Sequence, residues 1–292
     1  MREFLTGFIG YVSDKSMSTI SCYRRDLEKY ILFLEKNGIK SFSATTKTTV
    51  LTYLLNMSAE GFSDSTIRRT LSSLKALYNY LSIENPEIKN PVINIEPPSR
   101  VRKAPKILSW EQVEKFLSSP DIKTSKGRRD RAMMEVLYAT GIKVSELINL
   151  NLGDVNTAAG YLRCSAGKKE RVLPMGQLAS ESVMRYITGS RKSFLEDGKE
   201  TDALFLNYKG ERMSRQGFWK LINSYRKKAG IKEEITPQIL RNSFAAHLLK
   251  NGADLGAIQE MLGHADISTT RAYSGFLKPN IRDVYIKTHP RA

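Results

Sequence analysis

The chain has 292 residues, with 46 Lys and Arg against 30 Asp and Glu for a formal net charge of +16, and 41% of its residues are hydrophobic. The apolar fraction is ample for two domain cores, and the charge points to a polyanionic partner, nucleic acid first and an anionic membrane surface second. No uninterrupted apolar run reaches transmembrane length, Met1-Arg2-Glu3-Phe4 lacks a signal-peptide core, and Cys22 and Cys164 are too far apart in sequence for a zinc site or a disulfide framework. A cytoplasmic protein without a metal centre is therefore expected.

Residues 1–98 read as a bundle of four or five helices. Ser18 or Thr19 starts one that runs through Tyr23, Leu27, Tyr30, Ile31 and Leu34 and ends at Asn37-Gly38, and Thr48 to Met57 makes another that ends near Gly61. Ser63-Asp64-Ser65-Thr66 caps a third, with Ile67, Leu71, Leu74, Leu77, Tyr78 and Leu81 as its apolar stripe. Arg68, Arg69 and Lys75 fall on the opposite face, either as a solvated surface or as phosphate contacts. Asn85 to Lys106 breaks the helical pattern: Pro86, Pro91, Pro97, Pro98 and Pro105, with Arg100, Arg102 and Lys103, read as an extended basic linker. Its core, 99–106, separates a first domain, 1–98, from a second, 107–292. It serves either as a spacer or as the hinge of a clamp, with Arg102 and Lys103 facing phosphate.

The second domain opens on the helix start Ser109-Trp110-Glu111-Gln112. After Gly127-Arg128-Arg129-Asp130 a long apolar helix is expected from Ala132 to Thr140, followed by Gly141-Ile142-Lys143-Val144-Ser145-Glu146-Leu147. Gly160 to Cys164 and Arg171 to Pro174 read as two strands of a hairpin with a basic tip, Ala166 to Glu170, so that Lys168, Lys169 and Arg171 are candidates for phosphate contact. A helix through Val183 to Ile187, a strand at Leu204 to Leu206, a turn at Tyr208-Lys209-Gly210 and a helix from about Met213 to Lys228 follow. The fold class is mainly α with a small β-sheet: a helical bundle, then an α+β domain.

The most informative stretch is Thr236 to Tyr273. Thr236 suits an N-cap and Pro237 the first helical position, which places Gln238 and Arg241 one turn apart on one face. Asn251-Gly252 ends that helix. Asp254 caps a second, with Leu255, Ile258, Met261 and Leu262 at helical spacing, and Gly263 stops it with His264 at the exit. A third helix, capped by Asp266 or Ser268, carries Tyr273. A tyrosine phenol can attack a phosphodiester and form a phosphotyrosyl ester if cations and donors offset the charge developing on the oxygens. An arginine fork donates two parallel hydrogen bonds to such oxygens, and histidine adds a donor or proton carrier. Taken singly, Arg241 suits a helix salt bridge better than a phosphate contact, and Tyr273 a packed aromatic better than a nucleophile.

The wording of this stretch adds to that reading. Leu240-Arg241-x-Ser243-Phe244-Ala245-x-His247-Leu248-Leu249, Asn251-Gly252-Ala253-Asp254-Leu255 and Leu262-Gly263-His264-x-Asp266-Ile267-Ser268-Thr269-Thr270-x-x-Tyr273 together resemble the C-terminal signature of the tyrosine recombinases, their Xer branch most nearly. The ending His289-Pro290-Arg291-Ala292 resembles a Xer tail. The resemblance implies a C-shaped two-domain clamp on double-stranded DNA, with a helical core-binding domain and a catalytic domain. It makes Tyr273 the nucleophile of a 3′-phosphotyrosyl intermediate, assisted by Arg241, His264 and the accessory Glu146, with no cofactor. The stretch Thr66 to Lys75 is similar to the DNA-contacting helix of the first domain, and Ser214-Arg215-Gln216 to a stretch that touches the DNA backbone.

Three positions depart from the family. Lys143 stands where an arginine is usual, Gln238 where a histidine is, and Ala166 where a general-acid lysine is; Asn242 also replaces a frequent histidine. Lys168, two residues beyond Ala166, either substitutes for that acid or contacts phosphate. The resemblance further implies four protomers on two duplexes, identical or mixed, joined by exchange of a C-terminal tail with a short helix at Ile281 to Ile286. A second recombinase or a DNA translocase would be a further partner. Two readings follow: a Xer-like site-specific recombinase, serving chromosome dimer resolution or the movement of an element, or a homologue with weakened chemistry that acts as a DNA-binding or architectural partner.

Overall fold

The computed structural model describes residues 1–98, 104–166, 169–196 and 199–263. Arg102, Lys103, Lys168, His264 and Tyr273, the third helix of the signature stretch and the tail lie outside the described residues. The chain divides into two compact units, Met1–Arg102 and Lys103–Ala292.

In the first unit the described helices are α1 (Arg2–Tyr11), α2 (Met17–Lys36), α3 (Lys47–Ala59) and α4 (Asp64–Glu84). Side-chain caps place their starts: Ser16 accepts from the Thr19 amide, so α2 begins ahead of the expected Ser18 or Thr19, and Thr46 forms a capping box with Thr49 that starts α3 at Lys47. Ser63 caps α4, and every member of its expected stripe, Ile67, Leu71, Leu74, Leu77, Tyr78 and Leu81, is buried against Leu27, Tyr30, Ile31 and Leu34 of α2 and their neighbours. Each such leucine contributes about 1.5–3 kcal/mol on leaving water. The buried phenols of Tyr30 and Tyr78 share a hydrogen bond at 3.0 Å, and Tyr78 meets the Thr45 hydroxyl at 2.6 Å, so this aromatic centre leaves its hydroxyls paired.

The expected linker is shorter than its prolines suggest. Ile88, Val92 and Ile95 are buried in the same core as α4, and the side chains of Asn85 and Asn90 accept from the amides of Glu87 and Val92 to shape the turns between them. Proline ends a helix without preventing a chain from packing, so residues 85–98 belong to the first unit. Arg68 secures the end of that segment by donating to the Pro98 carbonyl at 2.5 Å.

The second unit runs α5 (Trp110–Leu117), α6 (Ser125–Thr140), α7 (Val144–Asn149), β1 (Val155–Asn156), β2 (Tyr161–Ala166), β3 (Lys169–Pro174), α8 (Gly176–Gly189), α9 (Arg215–Lys228), α10 (Pro237–Lys250) and α11 (Leu255–Leu262). The sheet is antiparallel in the order β1-β2-β3, with Cys164 opposite Arg171 and Ala166 opposite Lys169, so the hairpin ladder extends further towards its tip than expected. Helix α6 starts a turn or more early because Thr124 caps it, and Gly127 to Asp130 lie inside it. Arg129 and Asp130 are buried there because each compensates the other: Arg129 Nη2 and Nε donate to Asp130 Oδ1 at 2.6 and 2.8 Å, and the Tyr225 hydroxyl donates to Oδ2 at 2.9 Å. Leu204, Phe205 and Leu206 are buried as expected of a strand, yet this segment makes only the isolated bridges Asn151 to Ala203 and Leu206 to Arg212. Its apolar run reflects burial rather than a ladder. The mainly helical class with a small sheet is what the structure has.

Candidate active site

Thr236 caps α10 by accepting from the Ile239 amide, with Pro237 at the first position. Gln238 is exposed one turn before Arg241, which is only 3% exposed. The Arg241 guanidinium donates to the Gly141 carbonyl at 2.5 Å and to the Leu262 carbonyl at 2.6 Å. Both carbonyls lie at helix C-termini, of α6 and α11, where the last peptide oxygens lack helical partners and the helix dipole favours a cation. Arg241 thus staples three helices, and its position fixes the turn that leads to Lys143. Gly141 is required in that turn: its φ is +60°, and the Phe244 ring occupies the place a Cβ would take.

Lys143 is the N-cap of α7. Its amide donates to Glu146 Oε2 at 2.8 Å while the side chain is exposed. It lines a cleft of about 630 Å³ together with Arg215, Trp219, Lys220, Gln238 and Arg241. Residues nearly a hundred positions apart in the chain therefore meet, and among the described residues the lining carries four cations, Lys143, Arg215, Lys220 and Arg241, and no carboxylate. Cations and amide donors converging on a partly apolar surface are suited to the oxygens of a phosphate, which they meet with several hydrogen bonds at once. Trp219 and Lys220 were not singled out in the sequence; their signal was the helical spacing, four residues on from Arg215 and from Gln216, which also lines the cleft.

Arg69, Arg171 and Lys75 are not among the described residues that line this cleft. Arg69, expected on the solvent face of α4, turns to the buried Asp26, with Nη2 to Oδ1 at 2.6 Å and Nε to Oδ2 at 3.0 Å, and the Ser73 hydroxyl donates to the same carboxylate at 3.0 Å. Arg171 pairs with Glu146 at 3.0 Å, both largely buried, and lies against Gly263 so closely that a Cβ there would overlap its guanidinium. Both guanidiniums hold carboxylates; Arg171 is largely buried in doing so, whereas the Arg69 side chain stays 46% exposed. Lys75 is half-buried on α4, and Lys169 is placed by its backbone pairing with Ala166. Burial pushes the Cys164 thiol up despite the neighbouring Arg171, which marks a packed residue.

The second half of α10 holds the segment that precedes α5. The Leu108 amide donates to Ser243 Oγ at 2.8 Å, and His247 Nε2 meets the Leu108 carbonyl at 3.1 Å. A carbonyl only accepts, so Nε2 carries the proton, and Nδ1 accepts from the Tyr138 hydroxyl at 2.8 Å. Burial holds the His247 pKa below the usual histidine value, with the Leu108 bond opposing. A depressed histidine disfavours the folded state once it must take a proton, so stability present above about pH 6.5 is expected to fall as the pH drops below that value. Thermal unfolding of the wild type and of His247→Asn across about pH 5 to 8 checks this, and an equal slope in both would refute it.

Residues 106–277 match the phage integrase family, and residues 5–85 match the phage integrase N-terminal SAM-like domain. The chain belongs to the phage integrase family, among the Xer-type tyrosine recombinases. It is 42% identical over 279 residues to the tyrosine recombinase XerD of Halalkalibacterium halodurans, covering 95% of this chain and 93% of that one. The tyrosine recombinase XerD of Staphylococcus epidermidis is 41% identical over 293 residues, covering 100% and 99%. The fold is similar to that of a crystal structure of the XerH site-specific recombinase bound to a palindromic difH substrate in a post-cleavage complex, with a TM-score of 0.75 and 24% identity over 94% of this chain and 81% of that chain.

Proposed function

We propose that this protein is a Xer-type site-specific recombinase that cuts and rejoins strands of duplex DNA. The observation that carries the reading is the cleft on α7, α9 and α10, lined among the described residues by four cations and no carboxylate, and built around the buried Arg241 of the family signature. In this reading the Tyr273 phenol gives up its proton to solvent as its oxygen bonds to the scissile phosphorus and the bond to the 5′ oxygen breaks. The 5′ hydroxyl leaves with a proton from Lys168 or from solvent, and a 5′ hydroxyl of the other strand later reverses the step. Arg241 and His264 donate to the phosphate oxygens, Lys143 holds one of them as a point charge, and Gln238 adds a hydrogen bond but cannot carry a proton near neutral pH. Arg215 and Lys220 extend the cationic surface along the DNA backbone. Bond energy is kept in the phosphotyrosyl ester, so the cycle needs no metal and no nucleotide.

The net charge of +16 supports a DNA partner whose affinity falls steeply with salt. The finer arrangement, four protomers joined through their C-terminal tails with an identical or a second recombinase, is part of the same proposal. No described helix is long and apolar enough to cross a membrane. A binding-only homologue finds no support in full-length relatives that are themselves tyrosine recombinases. The test is covalent trapping on a nicked duplex carrying a site selected from random sequences. A protein–DNA band that is lost in Tyr273→Phe is the expected result, and tight site-specific binding without any such band would overturn the reading.

A further inference from the structure

We infer that Asn242 is a positioning residue that fixes the side-chain amide of Gln238 in the cleft; what the oriented amide then does rests on the recombinase reading. Asn242 is 8% exposed, its Nδ2 donates to the Lys106 carbonyl at 3.3 Å, and its Oδ1 accepts from Gln238 Nε2 at 2.9 Å. A main-chain carbonyl only accepts, so residue 106 decides which end of the Asn242 amide faces it. That choice in turn decides which end of the Gln238 amide faces Asn242. The chain of bonds starts at backbone held on α10 by Ser243 and His247 through Leu108, and it ends on the wall of the cleft beside Lys143 and Arg241.

Orientation matters because the two ends of an amide act on an anion with opposite sign. A glutamine rotating freely about its last torsion would offer a phosphate oxygen its carbonyl as readily as its N–H. Held through one Nε2 hydrogen, Gln238 presents its second hydrogen from a fixed plane, and the ordering cost is met before any ligand arrives. Gln238 and Asn242, both departures from the family signature, thus form one unit one helical turn apart, and the Lys106 carbonyl, close to where the second unit begins, is its anchor.

Two measurements test this. In the side-chain amide 15N spectrum of the protein without DNA, the Gln238 pair is identified by its loss in Gln238→Ala. Asn242→Ala is expected to move it to the positions of solvated glutamines, whereas Asn242→Asp, which keeps the acceptor, is expected to leave it near its original place. An unmoved pair in Asn242→Ala, or equal shifts in both variants, overturns the inference. The second measurement is single-turnover covalent complex formation by the wild type, Asn242→Ala, Gln238→Ala and the double variant. Each single change should slow it about tenfold, and the double variant should be no slower than Gln238→Ala. An Asn242 effect that persists undiminished when residue 238 is alanine marks a structural role and overturns positioning. If the wild type forms no covalent complex, the recombinase reading falls, while the amide spectrum still decides whether Asn242 holds Gln238.

Discussion

Arg241→Ala is expected to lower covalent complex formation by a factor of about 10³ or more and to destabilise the second unit by about 2–4 kcal/mol. Two effects coincide because the residue has two tasks. Its guanidinium closes the C-termini of α6 and α11 by donating to Gly141 and Leu262, and it stands in the cleft with Lys143 and Gln238. A guanidinium carries five donors, so gripping two carbonyls and facing a phosphate are compatible. Removing it leaves two helix-end carbonyls without their charged donor in a nearly dry place, and it frees the turn that sets Lys143. Arg241→Lys separates the tasks: it retains the charge but reaches one carbonyl, so stability should recover more than cleavage does. Denaturant unfolding beside trapping on the nicked duplex reads both. Cleavage by Arg241→Ala within tenfold of the wild type would remove Arg241 from the chemistry.

Lys143→Arg is expected to act in the other direction, raising the single-turnover cleavage rate by about 30-fold or more with little change in DNA affinity. An ammonium holds one phosphate oxygen, whereas a guanidinium holds two in parallel, and the second bond is worth about 2–4 kcal/mol when it forms only in the transition state. The substitution should cost little stability. Position 143 is held through its backbone amide by Glu146, and the side chain is exposed in the cleft, so a longer fork meets no packed neighbour. An unchanged or slower rate at full DNA occupancy would mean that the cleft is built around an ammonium, and that other lining groups, Lys220 among them, supply the second contact.

Much of the fold was legible because its signals are local. Ser63, Ser109, Thr236 and Asp254 each cap the helix they precede, and the stripe from Ile67 to Leu81 is buried throughout. A cap is a contact within one turn, and a helical stripe repeats within one element, so neither needs knowledge of the rest of the chain. Local signals misled where burial has no period. Leu204 to Leu206 is apolar like a strand but pairs only by isolated bridges, and Ile88, Val92 and Ile95 pack into the first unit from among prolines that read as a linker.

By itself the sequence determined the class of the protein, most of its longer helices and the one face that carries Gln238 and Arg241, since these rest on spacing along a single element; the short helices α1 and α7 were not read from it. Only the tertiary structure decided how each charge is used. Arg69 is matched to Asp26, 43 residues earlier, Arg171 to Glu146, 25 residues earlier, and Arg241 to a carbonyl 100 residues earlier. A cation on an amphipathic face looks the same whether it meets solvent, phosphate or a buried carboxylate. The partner that distinguishes these cases is brought through space by packing, and no periodicity records it.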